Sequence, residues 1–166
     1  MNTTILRRVA SIVAIALALG SQGLAQTAEQ RGFAGSIHDY TAALDANGPW
    51  HIAGEWSVRL KGDSGRGDFW ATLTMARAES ATREHHTHHI TLRDGHVTLL
   101  ANGFRISGSA VITGNGNLAG FSGSPIDVEL TGGNAVPFSN LSLTFGGTAV
   151  NHFGAQALHG VVTEQR

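Results

Sequence analysis

HHTHHITLRDGHVTLLANGFRISG, residues 85–108, is the stretch on which the fold turns. It contains two residue pairs, Asp94-Gly95 and Asn102-Gly103, that accept positive φ, as a two-residue hairpin turn demands. Reading both as turns pairs Leu92 with Val97, Ile90 with Leu99, Ala101 with Phe104 and Leu99 with Ile106. All of these residues then share one face of a three-stranded sheet, while Thr91, Thr98 and Ser107 share the other. A one-residue slip would scramble that segregation, so the spacing predicts an antiparallel meander.

The same alternation extends outward in both directions. Trp56, Val58 and Leu60 alternate with Glu55, Ser57, Arg59 and Lys61. Phe69, Ala71, Leu73 and Met75 alternate with Asp68, Trp70, Thr72 and Thr74. Ile126, Val128 and Leu130 follow, then Leu141, Leu143 and Phe145, each series with one apolar and one wetter face. The expected strands are 55–61, 67–76, 86–93, 96–101, 104–113, 117–122, 125–131, 139–146 and 155–163. Parallel pairing needs long crossovers, for which the connections leave no room. The fold class is therefore all-β: a small antiparallel, up-and-down barrel of about eight strands, or a barrel-like sandwich, because alternation weakens near 117–124. One short N-terminal helix is expected over 37–46. Ser36 stands as its cap with Asp39 three residues on, and Asn47-Gly48-Pro49 ends it.

The N-terminal segment reads differently. Arg7 and Arg8 precede Val9 to Leu19, eleven residues without charge, and Gly23-Leu24-Ala25 places small residues where signal peptidase cuts. The apolar run falls short of the roughly 20 residues that a permanent span requires. Residues 1–25 are expected to be a cleavable signal peptide, 26–36 a flexible leader, and 37–166 a single all-β domain. The destination would be the bacterial periplasm or the exterior, with no permanent membrane anchor. The chain has no cysteine, which excludes both disulfides and a lipid-bearing Cys at the cleavage site. Cleavage at Ala25 removes two of the eleven basic residues and no acidic one, leaving a net charge of −3 with His neutral. Scattered arginines on an acidic chain give no footprint for nucleic acid.

Several short motifs have plain explanations. Gly62-Asp63-Ser64-Gly65 matches a serine-protease tetrapeptide, but too little chain precedes Ser64 to supply the rest of a triad, and the four residues are ordinary turn chemistry. Arg66-Gly67-Asp68 spells an integrin-binding tripeptide, and a three-residue match arises readily by chance. Gly114-Asn115-Gly116-Asn117 is a turn, since no helix follows to cradle phosphate. Gly54-Glu55-Trp56 stands after the expected helix and opens the first expected strand. This placement resembles lipocalins and related calycin barrels, and the resemblance implies a Trp56 that closes the barrel floor. It covers three residues plus general architecture, and the arginine those barrels carry on their last strand has no counterpart in 155–163.

His85-His86-Thr87-His88-His89 is the densest chemistry in the chain. Alternation places His86 and His88 on the face of Ile90 and Leu92, and His85 and His89 on the other face. The hairpin register sets Ala101 opposite His88, with space beside it at one end of the sheet. Two inward imidazoles at i and i+2 can offer two nitrogens to one divalent transition metal, zinc or copper. Glu84, His152 and His159 are candidates to complete such a site, although no spacing rule selects among them. His96 falls at the opposite end of its strand. Three readings follow: a binding protein for a metal or small-molecule ligand, a barrel enzyme of isomerase or cyclase type using His86 or His88 as acid/base, and a structural or surface module. A core filled by Trp56, Phe69, Phe104, Phe138 and Phe145 would favour the last.

Overall fold

The computed structural model describes residues 31–41, 49–77, 85–115, 120–132 and 139–166. Eight antiparallel strands make up nearly all of it: β1 (Arg31–Tyr40), β2 (His51–Leu60), β3 (Arg66–Ala76), β4 (His85–Leu100), β5 (Gly103–Gly114), β6 (Phe121–Thr131), β7 (Asn140–Phe145) and β8 (Leu158–Gln165). Each strand pairs with the next and β8 returns to β1, so the sheet closes as a barrel. Closure settles the choice between barrel and sandwich. Among the described residues the single α-helix is α1 (Val150–Phe153), one turn long, in the connection between β7 and β8.

Two expectations near the N-terminus are corrected. Residues 37–40 are the end of β1 rather than the start of a helix, and 31–36, read as leader, form its beginning. Residues 42–46, the rest of the expected helix, lie outside the described residues. Strand period is visible in hindsight, because Phe33, Gly35 and Ile37 point inward and Phe33 and Ile37 are buried. The Asp39 carboxylate takes the neighbouring Tyr40 backbone N–H at 2.8 Å and, across to β8, that of His159 at 2.7 Å.

The meander is also corrected. Asp94-Gly95 does not turn the chain, because β4 runs through it as one strand of 16 residues. Ile90 pairs with Ile112 and Thr91 with Val111, not with residues of the same strand. Asp94 does hold positive φ, at 53°, but in a bulge that shifts register between Thr91 and His96. The buried Asp68 carboxylate accepts the Asp94 N–H at 2.8 Å, and Lys61 Nζ reaches Asp68 at 2.9 Å and Asp94 at 2.5 Å. This gives the bulge a polar anchor that a free hairpin tip would lack. The second hairpin exists with its turn moved: Leu100 pairs with Gly103 and Leu99 with Phe104, so Ala101 and Asn102 form the loop. Partners move by two residues, an even shift that preserves the alternation, but Leu99, expected on the apolar face, is 84% exposed beside the turn. The strands expected at 117–122 and 125–131 are likewise one strand, β6, from residue 121 onward.

Inward positions of all eight strands fill the interior. Phe69, Leu73, Met75, Ile106, Val128, Leu130 and Leu143 have no solvent exposure. An eight-stranded barrel is just wide enough for side chains to fill, and this one is filled. Trp56, Phe69, Phe104 and Phe145 are in the core as expected, and Phe138 lies outside the described residues. Gly54-Glu55-Trp56 sits within the second strand rather than opening the first. The Trp56 indole lies over Gly35 and Gly160 and donates to the Ser36 carbonyl at 3.3 Å. No helix among the described residues is long and apolar enough to cross a membrane. The apolar interior and polar outer positions such as Glu55, Arg59 and Arg93 reverse the arrangement of a lipid-facing barrel.

Candidate metal centre

One end of the barrel is chemically unlike the rest. There β3 ends and β4 begins, pairing Leu73 with His88 and Met75 with His86. Alternation carries both imidazoles inward, where His86 is 9% and His88 1% exposed. The residue across from His88 on β5 is Gly114, not Ala101, because the hairpin at Asp94-Gly95 does not form. The space left by a residue without a side chain is met from the opposite wall.

After β7 the chain makes a 3₁₀ turn at Gly147–Ala149 and then α1, which folds over this end. Ala149 and Phe153 are fully buried beneath it, and Phe153 stacks on Phe145 with centroids 4.2 Å apart and planes 12° from parallel. That anchor aims the preceding residue, His152, at the β4 histidines. His152 Nε2 lies 2.8 Å from His88 Nε2 and 3.1 Å from His86 Nε2. One ligand nitrogen from each of the three falls within 4.8 Å of the other two.

Protons alone satisfy this arrangement poorly. A neutral imidazole nitrogen has either one hydrogen or one lone pair. His152 Nε2 must therefore share a single hydrogen or a single lone pair between two partners. Burial drives the His88 pKa down to about 4, with His152 and His86 adding to the effect, and the Thr113 backbone weakly opposing it. Burial, then the neighbouring His86, drives His152 to about 4 as well. Both rings are neutral near pH 7 and keep lone pairs available for a cation. His88 Nδ1 is buried and has no partner in hydrogen-bond geometry among the described residues.

The surroundings are aromatic. Trp50 meets His86 edge-on at 4.7 Å, and Phe153 meets His88 at 5.1 Å and His152 at 5.0 Å. Phe121 lies 5.6 Å from His152. The Arg77 guanidinium covers the Trp50 ring at 4.2 Å, which adds a cation–π contact behind the histidines.

Of the histidines and glutamate singled out in the sequence, three converge and three do not. His85 is exposed on the outside of β4. His89 is exposed too, its Nδ1 3.1 Å from Thr72 Oγ1. His159 pairs with Asp39 on the outer surface at 3.1 Å. Glu84 lies outside the described residues. His96 stands at the far end, opposite Arg66. Trp50, Phe121 and Phe153 were not anticipated as walls, since only barrel closure brings them together. No protein-family model, curated protein or solved structure matches the chain.

Proposed function

We propose that this is an exported metal-binding protein that holds one divalent transition ion, zinc or copper, between His86, His88 and His152. The observation that carries the proposal is the convergence of three Nε2 atoms on one point, from two elements distant in sequence. Three imidazoles are a recognised donor set for both metals, and zinc bound by three protein ligands keeps a further position for water or substrate. A tetrahedral zinc with arms of about 2.05 Å sets nitrogen–nitrogen edges near 3.3 Å. The contacts at 2.8 and 3.1 Å need to part by a few tenths of an ångström, and the His86–His88 edge, within 4.8 Å, has to close toward the same value.

The acid/base reading has less support. His88 has one nitrogen beside the Thr113 backbone and the other against an imidazole, and no carboxylate among the described residues orients or charges it. A structural module would also have a filled core, but it has no use for three buried, converging histidines. The proposed export rests on the charge, apolar run and cleavage site of residues 1–25.

Native mass spectrometry of the purified protein, with zinc or copper titrated after chelation, tests the metal. One ion per chain is expected, and its loss in His88→Ala/His152→Ala. Absence of saturable binding, or equal binding by that double variant, would overturn the assignment. For export, N-terminal sequencing of the protein from its expressing cells should begin at Gln26. A sequence beginning at Met1 would overturn that part alone.

A further inference from the structure

The outer wall carries a feature that the histidine centre does not use. Ala34, Ser57, Trp70 and Thr91 stand side by side on β1 to β4 and point outward. Two small residues beside the largest side chain make the surface drop on one side of the indole. Two strand spacings of about 4.8 Å separate Ala34 from Trp70, so the floor is roughly 10 Å wide. Beyond Ala34 rises the ion pair of Arg166 and Glu164, joined by bonds of 2.6 and 2.7 Å. Arg166 also exchanges two backbone hydrogen bonds with Gly32, which fixes this wall. The result is two adjoining depressions of about 480 and 310 Å³, both bounded by Trp70, Ser57 and Arg166.

The chemistry around the trough is specific. The Arg93 and Arg59 guanidinium carbons lie 4.8 and 5.9 Å from the Trp70 ring centroid. Arg93 reaches the Asp68 carboxylate only at 3.8 Å, and Arg59 has no ion-pair partner among the described residues. Ser57 and Thr72 put hydroxyls on the floor, and Glu55 and Glu164 add carboxylate acceptors. An indole offers a face for the C–H groups of a sugar ring, and a guanidinium holds a carboxylate through paired N–H bonds. The two carboxylates accept sugar hydroxyls, donors that a polyphosphate chain does not offer. We propose that this trough binds an acidic saccharide, its ring against Trp70 and its carboxylate on Arg59, which lines the smaller depression. The site is separate from the metal centre and does not depend on it.

The test is isothermal titration of the purified protein with trigalacturonate, beside maltotriose and inorganic polyphosphate. Saturable binding of trigalacturonate alone is expected, weakened roughly tenfold or more in Trp70→Ala and in Arg59→Ala. Both side chains point outward, and unchanged melting curves would show the variants folded. Trp70→Phe, which keeps a ring, should retain most of the binding, and His88→Ala/His152→Ala all of it. No binding up to about 10 mM trigalacturonate (Kd weaker than this is roughly 3 kcal/mol or less) would overturn the proposal. Equal binding of maltotriose or polyphosphate would do the same, as would full binding by folded Trp70→Ala.

Discussion

His152 Nε2 sits 2.8 Å from His88 Nε2, although 64 positions separate the two residues in the chain. The contact joins the short helix between the last two strands to the start of β4, across the mouth of the barrel. The β7–β8 ladder, with four paired positions against ten for β1–β2, is the shorter seam, and the helix that supplies His152 stands in the connection between its two strands. A bound ion would tie that connection to the opposite wall.

Removing one ligand should therefore affect both metal and stability. His152→Ala and His88→Ala are each expected to weaken zinc binding by about 100-fold or more, measured by competition with a chromophoric chelator. His85→Ala, His89→Ala and His159→Ala should leave it unchanged, since these rings lie on the outer surface. Zinc at 100 times its Kd should stabilise the native protein by about 2.7 kcal/mol, and the melting temperature of the two ligand variants should not respond.

The metal-free protein should lose stability in a defined pH window. His88 and His152 have folded pKa values near 4, below the roughly 6.5 of an exposed imidazole. Between those values the unfolded chain takes up protons that the folded chain refuses. Stability then falls as pH drops from about 6.5 to about 4, with a slope of up to ~1.4 kcal/mol per pH unit for each ring. Below pH 4 both states are protonated and this contribution stops changing. Chemical denaturation of the chelated protein across pH 4–8 measures the slope, which His88→Gln/His152→Gln should flatten. An equal slope in that variant would contradict the assignment of the window to these rings.

Much of the barrel was legible because alternation is a local property. Trp56-Ser57-Val58 and Phe69-Trp70-Ala71 show which faces they bury without help from elsewhere. The same rule placed His86 and His88 inward. The bulge was not legible, because Asp94-Gly95 can take positive φ in a turn or in a bulge. The choice falls to Asp68, 26 residues away, whose carboxylate takes the Asp94 N–H. Strand β1 was obscured by Ser36 and Asp39, which match a helix cap locally, whereas Asp39 serves a cross-strand contact to His159 and the Ser36 carbonyl accepts from Trp56 Nε1. His152 was a candidate without a rule to select it, since only ring closure brings α1 over β4.

The floor beneath Trp56 offers a matched pair of glycine substitutions. A Cβ at Gly35 would stand 1.8 Å from the Val161 carbonyl oxygen and 2.8 Å from Trp56 Cζ2. The first neighbour is backbone and the second is a buried ring, so neither can move aside cheaply. Three residues earlier on the same strand, a Cβ at Gly32 would meet nothing closer than 3.6 Å. Gly35→Ala is expected to cost about 3 kcal/mol or to prevent folding, while Gly32→Ala should stay within about 0.5 kcal/mol. Thermal melts of both variants check this, and equal stability would mean that the β1–β8 seam is looser than its register implies.

The bulge in β4 should depend on Asp68 more than on any other charge near it. Its side chain is only 6% exposed. Burial pushes its pKa up, but the Asp94 N–H and Lys61 outweigh burial and hold the carboxyl below its ordinary value. Asp68→Ala would leave the Asp94 N–H without its acceptor and Lys61 with Asp94 alone. A loss of about 1–3 kcal/mol is expected, the range for removing a buried acceptor from a donor. Asp68→Asn keeps an acceptor oxygen but not the charge, and should recover part of that loss. The sign with pH is opposite in origin to a raised-pKa pair: a depressed carboxyl stabilises above its unfolded pKa near 3.9 and loses that contribution as it is protonated below it. The Asp68 contribution therefore fades under more acidic conditions than the histidine window, and a stability profile of Asp68→Asn against the parent should diverge above pH 4 and converge below it. A constant gap down to pH 2 would place the effect in packing rather than in charge.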